Sequence, residues 1–325
     1  MKRIGILILA CLMAAAPFLL GDYQTYLLTL TVIWAIMALS MGLVLGFVGQ
    51  INLGQTAFVA ISAYTCSILR LRYGLDFWLA APIALATVVT LAALVGLLTL
   101  RLKGPYFILV MLAFAEITRL VIANWQEVTN GPLGLRGIRP PEPLFGLSFD
   151  SKSSFYYLSL SVLIVCLAAL RRLLRNRTGR MLVTVREDEL LAEFIGIPVM
   201  RSKVTGLCVG AFVAGLGGLL LAPFLTILSP SQFTLFASVD MIVMVVVGGV
   251  GTLAGPVMGA VFLIYVPELL SFASHYRPAM MGALLIVVTL FAPRGLIGAL
   301  TSLRDRLVLS LKPAKTSATE GGHAG

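Results

Sequence analysis

The sequence predicts an all-α, polytopic transmembrane helical bundle, and two observations predict it. Of 325 residues, 59% are hydrophobic and only 12% are charged, with a mean hydropathy of +1.00. A soluble domain needs far more polar surface than that. The apolar residues also come in runs of about 20, parted by short loops that hold most of the Lys and Arg. The net charge of +10 therefore reads as the orientation signal of a membrane protein rather than as a nucleic-acid surface.

The elements follow in order. Lys2 and Arg3 precede an apolar run from Ile4 to Leu20. Ala14 to Ala16 resembles a signal-peptide cleavage site, but Pro17 would follow the cut and the run continues past it, so an uncleaved first span is expected. Tyr26 to Val48 is a second span. Gly46, Gly49 and Gly54 then alternate with Gln50, Asn52 and Gln55. That stretch does not suit a lipid-facing helix, because irregular backbone at membrane depth needs cover from protein or a water-filled cavity. A third span runs to about Leu69, and Phe77 to Leu100 is a fourth. After a turn marked by Arg101 and Lys103, Tyr106 to Asn124 is a fifth. Trp125 to Ser153 is rich in Gly and Pro and is an external loop. Phe155 to Leu170 is the sixth span and Val204 to Leu225 the seventh. Ser238 to Val250 and Pro256 to Leu270 are shorter spans around a second glycine-rich break, Gly248 to Pro256, and Ala279 to Ala292 closes the bundle. Residues 1–298 thus form one membrane domain, and the polar tail 299–325 is expected to end in disorder.

About ten crossings put both termini and the charged loop on the cytoplasmic side and Thr129 to Ser153 outside. Arg70 and Arg72 then fall outside, against the rule, so about eight or nine full spans with re-entrant pieces are the alternative. The two glycine-rich breaks hint at a transporter-type repeat, although they fall at different places in the two halves.

The charged loop from Arg171 to Lys203 is the long polar segment between apolar runs. It opens with Arg171, Arg172, Arg175, Arg177 and Arg180. Thr184 and Glu187 then have capping-box spacing, and Glu187, Asp188 and Glu189 suit the first turn of a helix. Gly196 can take the left-handed conformation that ends a helix, and Pro198 stops it from resuming. Leu190, Leu191, Phe194 and Ile195 gather on one face. A helix of roughly three turns, about 16 Å long, is therefore expected near 185–195. Its apolar face either docks on a partner protein or lies on lipid, and its acidic turn disfavours anionic lipid.

Four ionisable residues lie inside or at the ends of spans: Glu116, Arg119, Asp240 and Glu268. Glu116 and Arg119 are three apart and can pair. The pair is either a structural tie in the bundle or, through Glu116, the border of a path for a zwitterion. Asp240 follows Ser238 near a helix start, where capping is its expected task. Glu268 falls near an outer helix end, in water. Gly206, Gly210, Ala214, Gly218 and Ala222 recur every fourth residue, which lets another helix approach closely, in this chain or in a partner. Cys11, Cys66, Cys166 and Cys208 sit singly in apolar runs with no CxxC spacing, and His275 and His323 join no cluster, so no metal or cofactor is expected. There is no Walker A pattern and no nucleophile–base set. An enzyme is thus the weakest of three classes, behind an ion-coupled secondary transporter and the membrane subunit of an ATP-driven importer. The loop helix favours the last.

These motifs together resemble the permease subunits of branched-chain amino-acid ABC importers, the LivM type of the hydrophobic amino-acid uptake family. Gly46 to Thr65 is similar to that family's GxxGQxSLGHAAFxxIGAY segment. Leu102 to Phe107 with Leu112 to Ile117, Thr129 to Leu135, and Arg177 to Arg180 with Arg186 to Glu189 match further stretches. So do Val247 to Pro256 and Pro293 to Leu296. Gln55 stands where the family often has His, and Asn52 where it often has Ser. The resemblance implies a bacterial inner-membrane permease, non-catalytic itself. Its partners would be a homologous LivH-type permease, two cytoplasmic ATPases and a periplasmic substrate-binding protein. It implies that Gln50, Asn52, Gln55 and Glu116 border the substrate path, and that Glu187, Leu190, Leu191, Phe194 and Gly196 belong to a coupling helix within a cytoplasmic loop, 171–203. Residues 125–153 would be periplasmic. Branched-chain or other hydrophobic amino acids are the implied substrates, with urea and short amides as the family's alternative.

Overall fold

The computed structural model describes residues 21–269 apart from 103 and 145, together with 17, 282 and 295–298. The expected first span, the closing span and the tail lie, but for isolated residues, outside the described ones. Among these residues six helices are long and apolar enough to cross a membrane, and Gly255–Glu268 is a shorter apolar helix.

Helix α1 (Asp22–Leu43) runs through the middle of the bundle. Ile33, Ile36, Ala38 and Met41 are fully buried, as befits a helix apolar on all sides. Its hydroxyls are answered within the helix: Thr29 donates to Thr25 O at 2.8 Å and Thr31 to Leu27 O at 2.7 Å, which makes them tolerable away from water. The helix widens into a π-turn at Val44–Val48 and stops at Gly49, whose φ of 78° is left-handed. Helix α2 (Gln55–Tyr73) starts beside α1 rather than beyond its end and runs back along the bundle. Helices α3 (Phe77–Thr99) and α4 (Pro105–Asn124) follow. On α3, Ala80, Ala84, Val88 and Ala92 form a fully buried stripe, while Leu79, Leu94 and Leu98 on the other side are exposed. In a membrane that outer side is a lipid-facing surface.

A one-turn helix α5 (Gln126–Thr129) and strand β1 (Leu135–Arg136) lie in the connection to α6 (Lys152–Arg175). Two helices, α7 (Arg177–Glu187) and α8 (Glu189–Phe194), make up the charged loop. Helix α9 (Val199–Leu225) is the second central rod and packs on α1, α2 and α3. Strand β2 (Ile227–Leu228) pairs antiparallel with β1, Leu135 opposite Leu228. Helices α10 (Leu235–Gly248) and α11 (Gly255–Leu269) complete the described bundle. The small residues of α9 are used inside this chain. A β-carbon on Gly206 would lie 2.4 Å from Val48, on Gly210 2.5 Å from Val44, and on Gly218 2.3 Å from the Val59 carbonyl. Ala214 is fully buried.

Three expectations are corrected. Thr184 and Glu187 do not open the loop helix: Thr184 lies within α7 and donates to Arg180 O at 3.0 Å, and Glu187 ends α7. The start of α8 is Asp188, which leaves helical conformation at φ −153° and accepts from Leu190 N and Leu191 N at 2.9 and 3.0 Å. A carboxylate that satisfies two orphan N–H groups outcompetes a hydroxyl four residues upstream. Asp240 caps nothing, because α10 begins at Leu235. It sits within the helix on the wall of a cavity of about 540 Å³ shared with Trp34 and Glu268. Glu268 accepts from the Tyr23 hydroxyl instead of simply facing water.

The bundle has two distinct ends. The loop end gathers Asp22, Arg70, residues 125–151 and Leu228, joined by Lys152–Asp22, Arg70–Glu142 and the β1–β2 pair. The charged end gathers Val48, Arg101 and residues 176–198.

Candidate functional site

Two regions carry the polar chemistry. The first is where α1 breaks and α2 begins. Asn52 Nδ2 donates to Gln55 Oε1 at 2.7 Å, Gln55 Nε2 donates to Ser40 Oγ at 3.0 Å, and Gly54 N donates to Asn52 Oδ1 at 2.8 Å. Asn52, Gln55 and Ser40 are all fully buried, so each amide is paired where water cannot reach it. A second contact ties this break to α10: Ser238 Oγ donates to Leu53 O at 2.8 Å and lies 2.9 Å from Thr56 Oγ1. Gln50 is half-buried. Glu116 is not joined to this group. It is half-exposed on α4 and paired with Arg119, whose Nε lies 3.1 and 3.0 Å from its two oxygens.

The second region is the charged end. Helix α8 presents Leu190, Leu191, Phe194 and Ile195 at 64, 55, 88 and 62% exposure. Its inner side is held. Ala192 is fully buried, and Glu189 pairs with Lys203, whose side chain is only 4% exposed. Gly196, at φ 80°, ends the helix as expected, with Ile197 N donating to Ala192 O at 2.9 Å. Beside α8 lies a groove of about 730 Å³ lined by Arg101, Glu189, Glu193, Arg201 and Lys203. Arg186, near the end of α7, donates to the Gly46 carbonyl in the π-turn. Val185 and Leu182, on the same helix, are buried.

Sequence reasoning missed Ser40, Ser238 and Lys203 as partners. Ser40 sits in an apolar run and Ser238 lies 182 residues from Thr56, so spacing carried no signal for either. Among the described residues no three His, Cys, Asp or Glu are placed to hold a metal ion, and Cys66, Cys166 and Cys208 are free thiols.

Apolar helices around two glycine-rich breaks that face each other build a polytopic membrane bundle of the kind transporters use. The family model of the branched-chain amino acid transport system permease component matches residues 23–292. The high-affinity branched-chain amino acid transport permease LivM of Escherichia coli K12 is 33% identical, over 91% of this chain and 75% of its own length. The corresponding LivH of Salmonella typhimurium is 25% identical, over 83% of this chain and 92% of its own. A solved chain of PsaBC from Streptococcus pneumoniae, in complex with Fab, aligns at TM-score 0.41 and 14% identity over 83% of this chain and 92% of its own. That likeness is too distant to place any element. The chain belongs to the branched-chain amino acid transport permease family.

Proposed function

We propose that this chain is the membrane-spanning permease subunit of an ATP-driven importer for branched-chain or other hydrophobic amino acids. It works in the bacterial inner membrane with a homologous LivH-type permease, two cytoplasmic ATPases and a periplasmic binding protein. Both termini and the charged end face the cytoplasm. Residues 1–298 are the permease domain, with 171–203 the coupling loop and 125–153 periplasmic.

The observation that carries this reading is the uncovered side of α8. Four large apolar side chains stand free on a helix whose other side is anchored by Ala192 and the Lys203–Glu189 pair. A helix that the fold holds rigidly but leaves uncovered is a docking element for another protein. The adjoining groove mixes Arg101 and Arg201 with Glu189 and Glu193, which suits a charged, water-soluble partner rather than lipid. The similarity to LivM and to LivH of other bacteria supports a pair of related permeases.

Glu116 and the polar groups of the first break border the path. Glu116 with Arg119 on α4 would be costly against lipid, so that side of α4 faces the partner permease or the aqueous route. Gln50 joins it at the break. Asn52 and Gln55 border the path from the break itself, where they are buried and paired with each other.

The test is uptake by the complete importer in proteoliposomes, with radiolabelled leucine, isoleucine and valine offered against urea and acetamide. ATP-dependent accumulation of the amino acids is the expected result. Accumulation by this chain with its partner permease but without ATPases would replace the reading with an ion-coupled transporter.

A further inference from the structure

The docking helix is tied to the bundle at two points, and these differ in kind. The Lys203–Glu189 pair is a half-buried tie, with the lysine side chain 4% and the glutamate 39% exposed. Loss of the glutamate would strand a buried lysine, so the pair serves as the pivot. The other tie is Arg186. It stands two residues before the Asp188 cap of α8, on the exposed side of α7, and donates to Gly46 O. Among the described residues no carboxylate pairs with it.

The surroundings of that guanidinium are built for it. Gly46 lies in the π-turn that follows α1, at the end of the helical run, where carbonyls lack an intrahelical partner and a cation is favoured. A β-carbon on Gly49 would lie 2.6 Å from Arg186 Cγ, so the arginine stem runs across a glycine. A β-carbon on Gly251 would lie 3.6 Å from Arg186 Nη1, and one on Gly46 would lie 2.9 Å from Gly251 N. One side chain of the cytoplasmic loop therefore touches the first glycine break and reaches the second. The first break is tied as well to the start of α10, where Ser238 donates to Leu53 O and lies against Thr56.

We infer that Arg186 is the positioning residue that carries motion of the docking helix to both glycine breaks. The inference rests on reading α8 as the ATPase contact. When α8 turns about the Lys203–Glu189 pivot, α7 moves with it and Arg186 draws or releases the Gly46 carbonyl. The π-turn of α1 and the 248–255 connection are then displaced together. A single part-buried hydrogen bond contributes modest net stability, which is what a link that must be made and broken in each cycle requires. A π-turn offers the backbone an alternative α-helical register at small cost.

The experiment measures amino acids imported per ATP hydrolysed by the complete importer in proteoliposomes, with radiolabelled leucine as probe. For Arg186→Gln, ATPase co-purification stays within twofold of wild type while leucine imported per ATP falls at least tenfold. An unchanged ratio overturns the assignment, and so does loss of the ATPases, which would make Arg186 only a support of the docking helix. If Arg186→Gln does not assemble, Arg186→Lys carries the test: one donor group in place of the planar fork lowers the ratio about threefold, and an unchanged ratio overturns it. The α8 reading fails separately, by wild-type ATPase binding in the Leu191→Asp and Phe194→Asp chains.

Discussion

The two ends of the bundle carry loops of similar make-up and opposite finish. At the loop end, residues 125–151 are rich in Gly, Pro and charge, and several of their oxygens are answered inside the chain, although Trp125, Leu133 and Leu147 stand exposed. Arg70 donates to Glu142 at 2.7 Å and to the carbonyls of Arg139 and Pro140 at 2.7 and 2.8 Å. Glu142 also accepts from Phe77 N at 2.6 Å, and its carbonyl from Trp78 Nε1 at 3.0 Å. Arg72 donates to Glu127 O. At the charged end the backbone is capped with equal care, but four apolar side chains of α8 are left in the open. A loop closed on itself serves the fold. On the proposed reading, α8, held on one side and open on the other, is completed by a partner protein. The two arginines that the expected orientation leaves against the positive-inside rule, Arg70 and Arg72, both donate to oxygens of this loop.

The sharpest way to break this contrast is to change α8. Leu191→Asp or Phe194→Asp puts a charge into the proposed contact, at a cost of several kcal/mol, on the order of 3–5, if that contact is dry. ATPase co-purification is expected to fall about 100-fold or more, with insertion, pairing of the permeases and thermal melting of the permease pair unchanged. Wild-type levels of bound ATPase in both variants would move α8 to the lipid surface.

The converse change belongs to the loop end. Glu142→Ala strands the Arg70 guanidinium, whose side chain is 8% exposed, while Glu142 itself is 38% exposed. The loss is therefore expected nearer to about 2 kcal/mol than to the 3–5 kcal/mol of a fully buried pair. The melting temperature in detergent drops by several degrees and ATPase binding stays intact. If both variants alter both readouts alike, the two ends do not differ as argued.

Acidification tests the same tie without mutation. Burial works to raise the Glu142 carboxyl, but the hydrogen bonds from Phe77 and Arg70 prevail and hold it below the ordinary 4.5. A lowered folded value means that the stabilisation is complete above the unfolded value and is lost as pH falls through the folded one. The melting difference between wild type and Glu142→Gln is expected to be constant at neutral pH and to shrink below 4.5. A difference that persists unchanged into stronger acid would remove the ionised carboxylate from the account.

The smallest expected effect is at the exit of α8. Gly196 holds φ 80° with nothing near its missing β-carbon, so Gly196→Val costs conformational strain but no clash, about 1–2 kcal/mol. ATPase binding should weaken by about tenfold or less, short of the aspartate variants. A larger loss than theirs would mean that the chain after α8, not its apolar side, makes the contact.

Much of this was legible in the residues, and the parts that were not share a cause. The apolar runs, the break after Val48, the end of the loop helix at Gly196 and the Glu116–Arg119 pair all follow from neighbours within a few positions. The start of α8 was misplaced because Thr184 and Asp188 both carry capping chemistry. Only the turn between α7 and α8 decides that the backbone leaves helical geometry at Asp188.

By itself, then, the sequence determined the class of protein, most of the described helices and the exposed apolar side of α8, because hydrophobic period and helix-end chemistry act locally. Tertiary structure decided the partners. Glu142 answers Arg70 across 72 residues, Arg186 reaches Gly46 across 140, and Ser40 takes the Gln55 amide from α1. No spacing encodes such pairs, since a polar group in a membrane bundle must find whatever donor or acceptor the packing of its helix brings within about 3 Å.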